Sequence, residues 1–136
     1  MALYGTRRAS FLWGEKIAND FTTEEIGFVR TKGCGQLFHH PVREVWVVVH
    51  GDDFVSKGQK EQLRWFDGVL RRLYKVKFGV IIGPGEPVTE CTFLNRTLRF
   101  VPEVGYQYVP DPRHIRQVLD KLDLQDAKPV QAPGVK

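Results

Sequence analysis

The chain has 136 residues, a length that suits one domain, and 42% of them are apolar, enough to supply a core. Its formal charge of +4 and pI near 9.2 are compatible with a polyanionic partner without selecting one. Cys34 and Cys91 lie too far apart for a disulfide framework, no apolar run reaches membrane-spanning length, and the N-terminus lacks the apolar core of a secretory signal, so a soluble protein in a reducing, intracellular setting (cytoplasmic or nuclear) is expected.

From Arg8 to Ile26 the residues Phe11, Leu12, Trp13, Ile17, Ala18 and Phe21 recur at helical spacing, and Gly27 follows at a helix C′ position. Short strands are expected at Phe28–Arg30 and Gln36–His39, separated by a turn. Glu44–His50 is β-branched and aromatic, too short for an isolated helix, and reads as a buried strand. Gly51-Asp52 then forms a two-residue hairpin turn, and Asp53-Phe54-Val55 begins the return strand. Ser56 with Gln59 fits a capping box that opens a helix with Leu63, Phe66, Val69, Leu70 and Leu73 on its apolar face. Arg71, Arg72 and Lys75 suit the negative end of that helix's dipole. Phe78–Ile82, Thr92–Phe100 and Gly105–Val109 read as strands. Asp111-Pro112 is an N-cap followed by proline, opening a helix with Ile115, Val118, Leu119 and Leu122 in one stripe. The sum is an α+β fold, an antiparallel sheet with helices packed on one face, over residues 1–126. Residues 127–136 read as an extended linker tail.

An apolar strand runs straight into His50-Gly51-Asp52-Asp53. Two adjacent carboxylates at a hairpin tip repel each other, and a divalent cation relieves that repulsion. Hard oxygen ligands suit Mg²⁺ or Mn²⁺. Two such ions about 3.5–4 Å apart can activate an attacking oxygen and stabilise a leaving one. The same residues are also ordinary turn chemistry, since Gly supplies positive φ and Asp tolerates turn conformations. The tetrapeptide alone does not separate these readings.

The surrounding landmarks resemble the copia-type reverse transcriptases of retrotransposon polyproteins. Ala2-Leu3-Tyr4-Gly5-Thr6-Arg7-Arg8-Ala9-Ser10-Phe11-Leu12-Trp13 is similar to the family's Ala-Leu-Tyr-Gly-Leu-Lys-Gln-Ala-Pro-Arg-Ala-Trp segment. Gly27-Phe28-Val29-Arg30 and Leu37-Phe38 resemble the turn and strand that follow it. His50-Gly51-Asp52-Asp53 stands where the family has its aromatic-x-Asp-Asp hairpin. Tyr74-Lys75-Val76-Lys77-Phe78-Gly79 resembles Phe-x-Met-Lys-x-Leu-Gly, Thr92-Phe93-Leu94-Asn95 resembles Tyr-Phe-Leu-Gly, and Lys128-Pro129-Val130-Gln131-Ala132-Pro133 resembles Lys-Pro-Val-Ser-Thr-Pro. The likeness covers nearly the whole chain, in order. It implies the rear portion of a polymerase palm and a metal-dependent RNA-directed DNA polymerase ancestry. Asp52 would be the principal Mg²⁺ (or Mn²⁺) ligand and Asp53 its assistant. Gly5, Arg7, Arg8 and Lys77 would lie near nucleic acid or nucleotide. The implied partners are an RNA or DNA primer-template and a deoxynucleoside triphosphate.

Departures from the family include Ser10 for Pro, Cys34 for Asp, His50 for Tyr and Asn95 for Gly. The family's first motif, a strand carrying a third catalytic Asp, lies upstream of the Leu-Tyr-Gly segment and is not among these residues. Weak metal binding and no polymerisation by these residues alone are therefore expected. Loss of that strand is also expected to leave Val45–Val49 with an unpaired apolar edge, which a partner chain could cover. The alternative is a non-catalytic nucleic-acid-binding or interaction domain.

Other residues have simpler readings. Arg7 and Arg8 serve equally as a solvated helix entrance. Lys77 is preferred as a surface lysine. Arg71, Arg72 and Lys75 are preferred as helix-end charges. Cys34, His39 and His40 do not have zinc-site spacing. Trp13, Trp46 and Trp65 are expected in the core rather than against nucleobases.

Overall fold

The computed structural model describes residues 7–77 and 79–128. Gly5 and residues 129–136, including most of the expected tail, lie outside them. The chain divides into two compact units, Met1–Gly79 and Val80–Lys136. The described residues form an α+β structure with two antiparallel sheets and three helices.

Unit 1 contains α1 (Arg7–Phe21), β1 (Val29–Arg30), β2 (Leu37–His40), β3 (Val45–His50), β4 (Asp53–Lys57) and α2 (Lys60–Leu73). Its four strands lie in sequence order, each antiparallel to the next. The sheet is half-buried, because side chains alternate across the pleat. Val45, Val47 and Val49 of β3 are buried, whereas Trp46, Val48 and His50 are exposed. The expectation of a wholly buried Glu44–His50 strand is thus corrected to a strand buried on one face. On that face Phe38, Val45, Val47 and Val49 meet Ile17, Ala18 and Phe21 of α1 and Phe66, Val69 and Leu70 of α2. Phe21 is fully buried, and its ring packs with those of Phe28, Phe38, Phe54 and Phe66 at 5.2–6.2 Å. Each such ring removed from water stabilises by about 1.5–3 kcal/mol.

Several expected boundaries move. The first helix stops at Phe21 rather than near Ile26, and Thr23 accepts from Ile26 and Gly27 in a following turn, with Gly27 at φ +80°. Phe11 and Leu12 are exposed, because Trp13, Ile17, Ala18 and Phe21 alone share the core-facing stripe. The Ser56–Gln59 capping box does not form. Ser56 is paired with Val47 inside β4, and Gln59 caps α2 without a side-chain hydrogen bond. Ser56 lies in the strand three residues before that N-cap, so its hydroxyl is not at the capping position. Finally, β3 is paired along both edges, with β2 and β4, so Val45–Val49 has no open edge. The outer strand on that side is β4.

Unit 2 contains β5 (Glu90–Phe93), β6 (Arg96–Val101), β7 (Gly105–Val109) and α3 (Pro112–Lys121). The expected single strand Thr92–Phe100 is a hairpin, turning at Leu94 and Asn95 with φ of 50° and 60°. Residues 79–82 form no strand. Glu90 and Arg99 pair across the polar side of the sheet at 2.9 Å. The α3 start is as expected: Asp111 accepts from the Arg113 backbone N–H, with proline at the first turn. Arg113 also forks onto the Asp111 carboxylate, and its hydrogen bonds lower that carboxyl to about 2. The Ile115, Val118 and Leu122 stripe is exposed.

Candidate metal centre

The β3–β4 hairpin carries the two carboxylates. Its register pairs His50 with Asp53, which leaves Gly51-Asp52 as a two-residue turn. Gly51 has φ +61° while Asp52 has negative φ, the pattern of a turn that needs glycine at its first central position. Asp52 and Asp53 are both exposed, and their carboxylates form no hydrogen bond or ion pair with any described residue. Pleat alternation sets Asp53 on the open face of the sheet beside His50, and Asp52 at the tip.

The hairpin is held from the helical side. The Trp13 indole Nε1–H donates to the Gly51 carbonyl at 2.7 Å. The same indole meets the Tyr74 ring edge-on at 5.3 Å, and Tyr74 stacks near Phe54 at 6.1 Å. Tyr74 Oη donates to Asp20 at 2.6 Å, Lys16 Nζ donates to the same Asp20 oxygen at 2.7 Å, and Lys16 lies over the Tyr74 ring. Burial would raise the Asp20 carboxyl, but these two donors outweigh it and hold it below the usual carboxylate range. Burial, then the bond to Asp20, raises the Tyr74 phenol above its ordinary value. The hairpin turn, α1 and the end of α2 are therefore joined by one polar and aromatic cluster. A concavity of about 260 Å³ lies beside it, lined by Ser10, Trp13, Arg30, Gln36, Val49 and Gly51. Its cation, Arg30, is already paired with Glu15 at 2.8 Å.

Arg7 and Arg8 begin α1, and Arg8 is exposed. Lys77 is exposed, three residues beyond Tyr74, which caps α2. The described contacts join neither Arg8 nor Lys77 to Asp52 or Asp53. Arg71 and Arg72 pair with Asp67 and Glu25, in keeping with helix-end charges. His39 and His40 point to opposite faces of β2. His40 is buried, and its Nδ1 accepts from the Val42 and Arg43 backbone N–H groups, so it is no partner for a zinc ion with His39. Burial, reinforced by Arg43, lowers the His40 imidazole. A second concavity of about 500 Å³ lies over His40, where Arg43 is already bound to Gln62 at 2.7 Å and stacked on Trp65 at 4.0 Å.

No group of three or more His, Cys, Asp or Glu side chains with metal-binding geometry occurs among the described residues. Asp52 and Asp53 are hard oxygen donors without competing partners, so they fit part of a Mg²⁺ or Mn²⁺ ligand set. Trp13 packs against the core as expected and, in addition, ties the helix to the hairpin. Trp46 is not in the core at all; the Val45-x-Val47-x-Val49 alternation was the signal that it faces away. Among the described residues no helix is long and apolar enough to cross a membrane. Comparison of the chain with family models, curated proteins and solved structures finds no match.

Proposed function

We propose that residues 1–126 are the rear portion of a copia-type reverse transcriptase palm, with Asp52 and Asp53 as two of the carboxylates of its two-metal nucleotidyl-transfer site. The observation that carries this reading is the Trp13–Gly51 hydrogen bond. It ties the helix of the Leu-Tyr-Gly segment to the Asp-Asp hairpin, two landmarks separated in sequence by 38 residues. Three further features support it. Both helices of unit 1 cover one face of an antiparallel sheet, as a palm requires. Among the described residues no strand pairs with the outer edge of β4, where the strand that carries the third Asp in the family would fit. Asn95, in place of the family's glycine, sits at φ 60°, a conformation asparagine and glycine both adopt.

In this reading Asp52, at the tip, is the principal ligand and Asp53 assists from the open face. A bound divalent ion would supply charge neutralisation for phosphoryl oxygens. Arg7 and Arg8 would face phosphates, with Gly5 and Lys77 nearby. Any third carboxylate must come from outside residues 1–136, so these residues bind Mg²⁺ or Mn²⁺ weakly and do not extend a primer by themselves. A non-catalytic nucleic-acid-binding role is the second reading, favoured by the exposed aromatic face of the sheet.

The test is Mn²⁺ titration followed by paramagnetic broadening of backbone amide signals. Broadening should begin at residues 51–54 and vanish in the Asp52→Asn, Asp53→Asn double variant. Broadening that starts elsewhere, or survives the double substitution, removes the metal-site reading. Primer extension with Mg²⁺ or Mn²⁺ should yield no product.

A further inference from the structure

Helix α3 is capped at both ends, yet its apolar face lies in water. Ile115, Val118, Leu119 and Leu122 recur at i, i+3, i+4 and i+7, which puts them in one stripe. Ile115 and Val118 are each 55% exposed and Leu122 60%, and only Leu119 is half-buried. Asp111 closes the N-terminal end. At the other end the Asp123 N–H donates to the Asp120 carbonyl and the Leu124 N–H to the Leu119 carbonyl, with Asp123 at φ 53°, a closed C-terminal turn.

The order of charges along the helix indicates what covers that stripe. Asp111 is committed to Arg113 at 2.6 Å. Beyond that pair the first half of α3 carries the cation Arg116, and the second half ends in Asp120, Asp123 and Asp126 against Lys121. The side chains of Arg116 and Asp123 have no hydrogen-bond or ion-pair partner among the described residues. This order opposes the helix dipole, which favours carboxylates near the N-terminus and cations near the C-terminus. A partner of one sign would match only one half. A second α3 running the opposite way matches both, with the two dipoles opposed. The stripe is centred between Val118 and Leu119, so a two-fold axis there sets Ile115 against Leu122 of the second copy and Val118 against its Leu119. Arg116 and Asp123 are two turns apart, hence on one edge of the stripe. In an antiparallel pair that edge meets itself, which brings Arg116 within one turn of the second copy's Asp123, twice by symmetry. The other edge brings His114 and Lys121 together and adds no attraction.

We propose that α3 pairs antiparallel with α3 of a second copy of this chain, burying the Ile115, Val118, Leu119 and Leu122 stripe and setting Arg116 of each copy beside Asp123 of the other. The pairing needs neither metal nor nucleic acid and stands apart from the polymerase reading. These four apolar side chains per copy are far fewer than the roughly 20–30 residues a side of a standard interface, so the pair is weak and forms on the order of 0.1 mM chain. At low concentration the chain is a monomer.

The test is sedimentation equilibrium of the full chain at low salt, from about 10 µM to about 1 mM. Wild type should pass from monomer to dimer over that range. Val118→Asp should weaken association at least about tenfold. Arg116→Glu and Asp123→Lys should each weaken it about three- to tenfold. An equimolar mixture of those two variants should associate within about twofold of wild type, because each then supplies the sign that the other lacks. Circular dichroism should show unchanged helix content in all three, since the substituted side chains are exposed. If aspartate loosens the helix, Val118→Ala, a better helix former, repeats the measurement, with about threefold weakening expected. A wild-type chain that stays monomeric at about 1 mM overturns the proposal. So does association that the Val118 variants leave intact, because another surface then carries it. A mixture that associates no more tightly than either charge variant alone also overturns it, because the helices then do not meet in antiparallel order.

Discussion

Replacing Trp13 by phenylalanine removes one hydrogen-bond donor and little else. The ring still meets Tyr74 edge-on, and the rest of α1 keeps its buried stripe. The lost bond is the 2.7 Å contact to Gly51 O. Because Gly51 is exposed, water replaces the indole as donor, so the cost is at the lower end for a hydrogen bond, about 0.5–1 kcal/mol. The loss is local: it frees the turn from α1. Amides of residues 50–54 should exchange about two- to fivefold faster, while those of Val47 and Val69, deep in the core, change little. Trp13→Ala also removes the half-buried ring and should cost about 2–3 kcal/mol. The assay is native-state hydrogen exchange read by NMR, with urea unfolding alongside. Wild-type exchange in the hairpin of Trp13→Phe would refute the argument, since it would show that the indole donor does not restrain the turn.

Phe21→Ala should destabilise by about 3–5 kcal/mol in urea unfolding, because Phe21 is fully buried among four other phenylalanine rings. Stability should fall as pH drops below about 6.5, because His40 is held neutral in the fold and its pKa is lowered, so the unfolded chain takes up the proton first. His40→Gln should flatten that limb of the pH–stability curve. Stability should also fall above about pH 10, where unfolded tyrosine ionises while Tyr74 stays protonated against Asp20, and Tyr74→Phe should reduce this loss. Asp52→Asn with Asp53→Asn should leave the unfolding free energy within about 0.5 kcal/mol of wild type, since both side chains are exposed and unpaired among the described residues; a larger loss would mark them as structural.

Features carried by local chemistry were legible in the sequence. Gly51-Asp52 is the turn it reads as, because only positive φ at its first position closes the hairpin. Asp111-Pro112 starts a helix, and Phe66, Val69 and Leu70 are the buried stripe of α2. What escaped depends on partners distant in sequence. Ser56 has the spacing of a cap, but β4 runs on to Lys57, and Gln59 rather than Ser56 takes the N-cap position of α2. Phe78–Ile82 has strand composition, yet residues 79–82 find no strand to pair with. Leu94 adopts φ 50°, which leucine rarely does, so nothing local announces the β5–β6 hairpin. For the candidate site, the carboxylate pair and its turn were readable. The Trp13 tie was not, because an indole in an apolar stripe looks the same whether its N–H is used or idle. The exposure of Trp46 was readable from alternation but was masked by an unbroken apolar run.

Among the described residues of unit 2, no apolar side chain is fully withdrawn from water; only Gly83 and Asp111 are buried there. Its sheet and helix are ordered by ladder bonds, a proline-capped start and half-covered rings, interactions whose net worth is small when water competes for every group. Heat and denaturant should therefore act on the two halves differently. Residues 7–77 would melt in one sharp step with a large heat-capacity change, whereas residues 80–128 would lose structure gradually, with little calorimetric signal of their own. A single transition temperature for this chain would describe its first half.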